Sequence, residues 1–292
     1  MFRLPDQVLD CIGFLCVDAP TPDGPRKRYG GTAFFVQVRC SHPPNIWFVY
    51  LVTAKHNVER AKEEGRPLFV RVSRKGGGVE FIEIRAEWTF AEDPCVDVAV
   101  LPVRSLNIDL NVFGIAGFDA GSLMNDKRVA EYDLGIGDEV FIPGLFPYRH
   151  GEARNLPILR TGHVACMPNE PILDERTACL YYAYLLEVRS LGGLSGSPVF
   201  MMRQVVNEET AKYPVPAYRV GLMGIVRGHF DLKKRDPVPA FFDDTESVNM
   251  GLALATPSQA IIDVLSCRKF RDERLLRSME ALRSAPGKIT ED

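Results

Sequence analysis

Short, mainly apolar runs recur along most of this chain, separated by glycine, proline and polar clusters, which is the pattern of strands divided by turns. In the first third the runs predict strands over residues 8–17, 31–38, 46–53, 68–72, 79–84 and 96–103, with Gly76-Gly77-Gly78 as a hairpin-type connection between the fourth and fifth. The pattern loosens over residues 105–133, which read as a connection carrying a short helix near 125–131. Strands resume over 139–142, 159–164, 181–188, 197–202, 218–226 and 251–255. Two long polar segments, 203–217 and 229–249, interrupt them, and loops of that length are often functional. From residue 257 to about 283 the spacing turns helical, with Ile261, Ile262, Val264 and Leu265 followed by Leu275, Leu276, Met279 and Leu282. That stripe is expected to pack on the second half of the molecule, the sharper alternative being contact with a protein partner or a second copy of the chain.

Many short strands between polar turns read as barrels. The expected division is an N-terminal barrel over 1–104, a connection over 105–131, a C-terminal barrel over 132–256, and a helix and tail over 257–292. With 292 residues and 46% hydrophobic content there is material for two cores, and a net charge of -3 gives no electrostatic case for nucleic acid or an anionic membrane. Seven cysteines, an odd number at irregular spacing, do not read as a disulfide framework, and all seven are expected to be free thiols. The N-terminal residues lack the form of a leader and no apolar run reaches membrane-spanning length, so cytoplasmic residence is the expectation. The cysteines and the five histidines show no close ligand spacing, so neither a metal nor another cofactor is expected.

The chemistry gathers in three segments. Gly192-Gly193-Leu194-Ser195-Gly196-Ser197-Pro198 sets a hydroxyl in a glycine-rich turn, where backbone N–H groups can face whatever the hydroxyl attacks. Thr53-Ala54-Lys55-His56 puts a histidine at the end of an apolar strand, and Asp97-Val98-Ala99-Val100-Leu101 puts a carboxylate at the start of another. A neutral serine hydroxyl needs a base, and a base needs a group that fixes its tautomer, so histidine, aspartate and serine together are the parts of an activated nucleophile. Each alone has a plainer reading, as a structural histidine, a strand-end cap and a turn serine.

With these motifs the chain resembles the chymotrypsin-like (trypsin-fold) serine peptidases, and within them the bacterial group that includes the HtrA/DegP catalytic domains. Residues 31–36, 137–144 and 251–257 echo the same family. The resemblance implies an all-β fold of two packed antiparallel six-stranded β-barrels with a C-terminal helix. It implies that His56, Asp97 and Ser195 are the catalytic residues of a serine endopeptidase acting on protein or peptide, and that the N–H groups of Gly193 and Ser195 form the oxyanion hole. It further implies a primary pocket between Arg189 and Ser190 on one wall and Arg227, Gly228 and His229 on the other, with Gly251 beyond. Arg189 falls where trypsin carries an acidic pocket base, so acidic or small polar residues are the expected cleavage sites; the plainer reading has Arg189 and Arg227 as exposed strand residues paired with acids. Two departures matter: Asn57 stands where secreted animal relatives carry a disulfide cysteine, and Leu194 stands where digestive relatives carry an aspartate that binds a newly cut N-terminus. Activation by N-terminal processing is therefore not expected. Ser197, a conceivable rival nucleophile, is expected to bond the backbone of the turn. The sequence Gly193-Leu194-Ser195-Gly196-Ser197 does not close the G-x-S-x-G elbow of α/β-hydrolases. Two other readings stay open, a catalytically silent peptidase-fold module that binds a protein partner and an esterase using the same triad.

Overall fold

The computed structural model describes residues 4–22, 24–40, 46–174, 177–188, 192–205, 217–231 and 249–284. After a single turn, α1 (Asp6–Leu9), the short runs form β1 (Ile12–Ala19), β2 (Arg26–Arg39), β3 (Trp47–Thr53), β4 (Leu68–Ser73), β5 (Val79–Glu83), β6 (Thr89–Phe90) and β7 (Ala99–Pro102). They pair antiparallel in the order β5-β4-β1-β2-β3-β7-β6, and β8 (Phe118–Asp119) joins β2 in parallel. The central strands read as nearly continuous apolar runs because both faces are covered. Phe14, Phe34, Val36 and Val52 point into a core shared with the second unit, whereas Leu15, Ala33, Phe35 and Leu51 point into a core of their own.

The second unit comprises β9 (Glu139–Gly144), β10 (Ile158–Cys166), the small hairpin β11 (Ile172–Asp174) and β12 (Cys179–Tyr181), then β13 (Tyr184–Glu187), β14 (Pro198–Val205), β15 (Ala217–Asp231) and β16 (Asn249–Pro257). Six of these close into a barrel in the order β10-β13-β16-β15-β14-β9, filled by residues such as Val140, Ile142, Leu186, Val199 and Ala255. This is the chymotrypsin-like arrangement, with one refinement. The second unit is a closed six-stranded barrel, while in the first, among the described residues, β5 and β6 are not paired with each other and the sheet stays open there.

Further helices lie between or beside the units. The helix α2 (Lys55–Glu63) follows β3 directly; its sequence KHNVERAKE buries only Val58 and Ala61, so no apolar stripe announces it. Helix α3 (Asp126–Glu131) forms where the sequence places a short helix, its first turn capped by Asn125, whose side-chain oxygen accepts from the Arg128 N–H. The C-terminal helix breaks into α4 (Gln259–Leu265) and α5 (Arg268–Ser284).

The expectation that the α5 stripe packs on the second barrel is overturned. Leu275, Leu276, Met279 and Leu282 are 62%, 59%, 44% and 54% exposed. The docking face of α5 is instead Phe270, Arg274 and Ser278, spaced by four. Phe270 is buried in the shared core beside Ile261, Val264 and Leu265 of α4, Arg274 Nη1 donates to the Tyr50 hydroxyl at 3.0 Å, and Ser278 Oγ lies 2.9 Å from Cys40 Sγ. A mixed stripe of one aromatic and two polar residues therefore orients the helix, which hydrophobic spacing alone does not capture. The segments 206–216 and 232–248 lie outside the described residues. Among the described residues, no helix is long and apolar enough to cross a membrane.

Candidate active site

The seam between the two units brings His56, Asp97 and Ser195 together. His56 lies in the first turn of α2, immediately after β3, and its backbone N–H donates to Asp97 Oδ1 at 2.9 Å. Its ring Nδ1 lies 2.7 Å from Asp97 Oδ2. An ionised carboxylate can only accept, so Nδ1 carries the proton and Nε2 is left to accept. Ser195 Oγ is in direct hydrogen-bond contact with that Nε2. Asp97 is buried, which alone would raise its carboxyl; the hydrogen bonds and charge of His56, with the Arg227 charge beyond, hold it below the ordinary carboxylate range. The carboxylate therefore stays ionised beside a half-exposed imidazole, the state in which it orients the ring.

The serine turn is held from the other unit. The Thr32 N–H donates to the Ser195 carbonyl at 2.9 Å, and Asn57 Nδ2 donates to the same oxygen at 3.0 Å. Thr32 Oγ1 donates to the Gly193 carbonyl at 2.7 Å while accepting from the Leu145 N–H at 2.9 Å, and Thr53 Oγ1 donates to the Thr32 carbonyl at 2.8 Å. Gly196 packs so closely here that a Cβ would run into the Thr32 carbonyl and the Thr53 hydroxyl, and its φ of +85° is one that side chains resist. Leu194, where an ion pair organises the digestive relatives, is 2% exposed and seated in the core of the closed barrel. The turn is thus anchored by packing and by hydrogen bonds across the seam. Gly193 has φ +100°, and its N–H and that of Ser195 donate to no other group among the described residues.

Ser197 departs from its expected part. It is fully buried, and its hydroxyl has no hydrogen-bond partner among the described residues; its backbone N–H, donating to the Leu194 carbonyl at 2.8 Å, braces the turn instead. A buried hydroxyl with no base hydrogen-bonded to it among the described residues is not activated as a nucleophile.

Of the pocket residues, Arg189 and Ser190 lie outside the described residues. Gly228 and His229 continue β15 and pair with Leu254 and Ala253 of β16, and Gly251 accepts from the Val188 N–H at 2.9 Å. Arg227 has a different surrounding from the exposed one of the plainer reading. Its side chain is 17% exposed, Nη1 donates to the Cys95 carbonyl at 2.9 Å, the guanidinium lies 3.8 Å from the Tyr181 ring centre, and Nη2 is 3.8 Å from Asp174. Its carbonyl oxygen lies 3.2 Å from Ser195 Oγ.

The expectation of seven free thiols is overturned at this place. Cys95 and Cys179 form a disulfide with Cα atoms 5.3 Å apart, tying the loop before Asp97 to the β11–β12 hairpin of the second unit. A separation of 84 residues carries no spacing signal, and only the fold brings the two together. The bridge also removes the support that the cysteine count lent to cytoplasmic residence. Cys11, Cys16, Cys40, Cys166 and Cys267 form no disulfide among the described residues. Thr32, Thr53 and Asn57 were legible only indirectly, as polar residues within or beside apolar strand runs.

No family model matches the chain, and no curated protein matches it. Among solved structures it is similar to "Crystal structure of Deg5", with 14% identity, 88% of each chain covered and a TM-score of 0.47. It is similar also to the Rv3671c protease of M. tuberculosis in its active form, with 13% identity, 91% of each chain covered and a TM-score of 0.44. The inactive form of the Rv3671c protease has 12% identity and a TM-score of 0.44, with 89% of this chain and 90% of that one covered.

Proposed function

We propose that this chain is a serine endopeptidase that cleaves protein or peptide substrates through an acyl-enzyme formed on Ser195. The supporting observation is the continuous path from the Ser195 hydroxyl through the His56 ring to the buried Asp97 carboxylate, set beside the backbone N–H groups of Gly193 and Ser195, which have no partner among the described residues.

In this reading Ser195 Oγ attacks the scissile carbonyl while its proton passes to His56 Nε2, and Asp97 stabilises the resulting imidazolium. The carbonyl oxygen, now negative, accepts from the Gly193 and Ser195 N–H groups, donors of a kind worth about 2.7–4 kcal/mol of barrier each. Collapse expels the amine, which takes the proton from His56, and leaves the acyl group on Ser195. A water then attacks the acyl group, giving its proton to His56, which passes it to Ser195 Oγ as the acid is released. Past Val226, among the described residues, the edge of β15 that faces Ser195 is not paired to β14, so an extended peptide can lie along Arg227–His229 as an added strand. That open edge favours a polypeptide over a small ester. The assembled triad weighs against a silent binding module, which has no physical need of it.

Incubation with β-casein, an unfolded protein, tests the proposal. The expected result is discrete fragments from the wild-type chain and none from a folded Ser195→Ala variant. Hydrolysis of small esters with casein left intact would favour the esterase reading, and equal fragmentation by both chains would reject Ser195.

A further inference from the structure

A cavity of about 640 Å³ opens beside Gly192 and Gly193, on the flank of Ser195 away from the β15 edge. Asn57, which holds the Ser195 carbonyl, also lines it, so the cavity is continuous with the reacting centre. Leu15, Val17 and Leu68 form its floor, and Tyr29, Phe146 and Tyr148 its wall. The charged rim is in part self-satisfied, since Arg28 is bound to Glu64 at 2.6 Å. Cys16 also lines the space, but burial pushes its thiol up to about 12, so it brings no nucleophile.

The aromatic wall is built to stay in place. Tyr29 stands on β2, while Phe146 and Tyr148 belong to the connection between β9 and β10, which reaches back across the seam to Arg71 of β4, a fully buried arginine. Arg71 Nη1 donates to the His150 carbonyl at 3.0 Å and to Asn155 Oδ1 at 2.7 Å, and Asn155 Nδ2 returns a bond to the Arg71 carbonyl at 2.9 Å. The Tyr29 ring lies 4.2 Å from the ring of His150. Phe146 and Tyr148 meet edge to face at 5.6 Å, although Tyr148 is 90% exposed. An exposed tyrosine over a pinned apolar recess is an arrangement that gains by covering a guest side chain.

Resting on the peptidase reading above, the geometry points to a specificity site for the leaving half of the substrate: the cavity takes a large apolar or aromatic side chain from one of the first two residues after the cleaved bond. The acyl half lies along the open β15 edge, its carbonyl sits at the Gly193 and Ser195 N–H groups, and the chain continuing past them meets the cavity. The selective force is apolar burial on the floor of Leu15, Val17 and Leu68, with Arg60 lining the rim beside the paired Arg28 and Glu64.

The test is a set of quenched peptides identical before the cleaved bond and carrying Phe, Leu, Gly, Asp or Lys in the two positions after it, run beside hydrolysis of p-nitrophenyl acetate, which has no such residues. Wild-type kcat/KM should be about 10- to 100-fold higher for Phe or Leu than for Gly or Asp. A Cβ on Gly30, which lines the cavity from β2, meets nothing within 4 Å, so Gly30→Trp fills the space. It should erase most of that preference while the ester rate stays within about twofold. Tyr148→Ala, at a side chain too exposed to matter for folding, should narrow the preference several-fold. Equal cleavage of all five peptides by the wild-type chain, or parallel loss of peptide and ester rates in both variants, would overturn the cavity assignment. Failure of the wild-type chain to react with either peptide or ester would instead overturn the peptidase reading itself.

Discussion

The two parts of the candidate triad are held in different ways. The His56–Asp97 pair belongs wholly to the first unit and is fixed by two local hydrogen bonds, one from the ring and one from the backbone. Ser195 belongs to the second unit, yet its turn is fixed largely from the first, by Thr32 and Asn57. The pair is therefore an intrinsic product of β3, α2 and the loop before β7, whereas the nucleophile is placed by the seam. The lesson is that substitutions in the seam should misplace the serine while leaving the imidazole and its carboxylate together.

The largest effect should come from the reacting groups themselves. Ser195→Ala or His56→Ala should lower kcat by about a millionfold, and Asp97→Asn, which presents the wrong partner to Nδ1, by about ten-thousandfold; steady-state kinetics on a cleaved peptide measures both. Next comes the bridge between the Asp97 loop and the β11–β12 hairpin. Cys95→Ser should lower stability by about 2–4 kcal/mol in denaturant unfolding, and digestion without reductant should yield a peptide cross-linked through Cys95 and Cys179. Recovery of both cysteines alkylated without reduction would remove the bridge from the account.

A sharper probe of the comparison is Thr32→Val, nearly isosteric but without the hydroxyl. It strands the buried Leu145 N–H and the Gly193 carbonyl, at about 1–3 kcal/mol of stability. Activity should fall about a hundredfold while the downfield proton resonance of the His56 Nδ1–H···Asp97 bond persists. Loss of that resonance would show that the pair depends on the seam as well.

The smallest effect concerns acid. Because the folded Asp97 carboxyl is held below its ordinary value, the unfolded chain binds more protons at pH just below about 4, and stability rises with pH through that window. Its contribution is complete above about pH 4 and is lost as pH falls through the lower folded value. Asp97→Asn should flatten this slope in acid unfolding curves. Arg227→Gln, which removes a charge that lowers the carboxyl, should move the loss to higher pH.

Much of this was legible in the sequence, for reasons particular to each element. Strands such as β3 and β4 declared themselves because apolar side chains cover both faces of the sheet, and the three motifs stood out as polar groups at strand ends and turns. Helix α2 was hidden, since only Val58 and Ala61 of its nine residues are buried and its tertiary setting, not its pattern, makes it helical. The face of α5 was misjudged because Phe270, Arg274 and Ser278 dock it through one ring and two polar groups. The Cys95–Cys179 bridge and the Thr32–Gly193 bond are long-range products of the seam, with separations of 84 and 161 residues that no local pattern encodes.

The central claim, that Ser195 is a nucleophile activated by His56 and Asp97, is tested most directly by mapping a fluorophosphonate adduct by mass spectrometry. The account predicts one adduct per chain on Ser195, retained in Ser197→Ala, lost in Ser195→Ala and slowed by several orders of magnitude in His56→Ala. A folded wild-type chain that takes no label, or a label that survives Ser195→Ala, would contradict it.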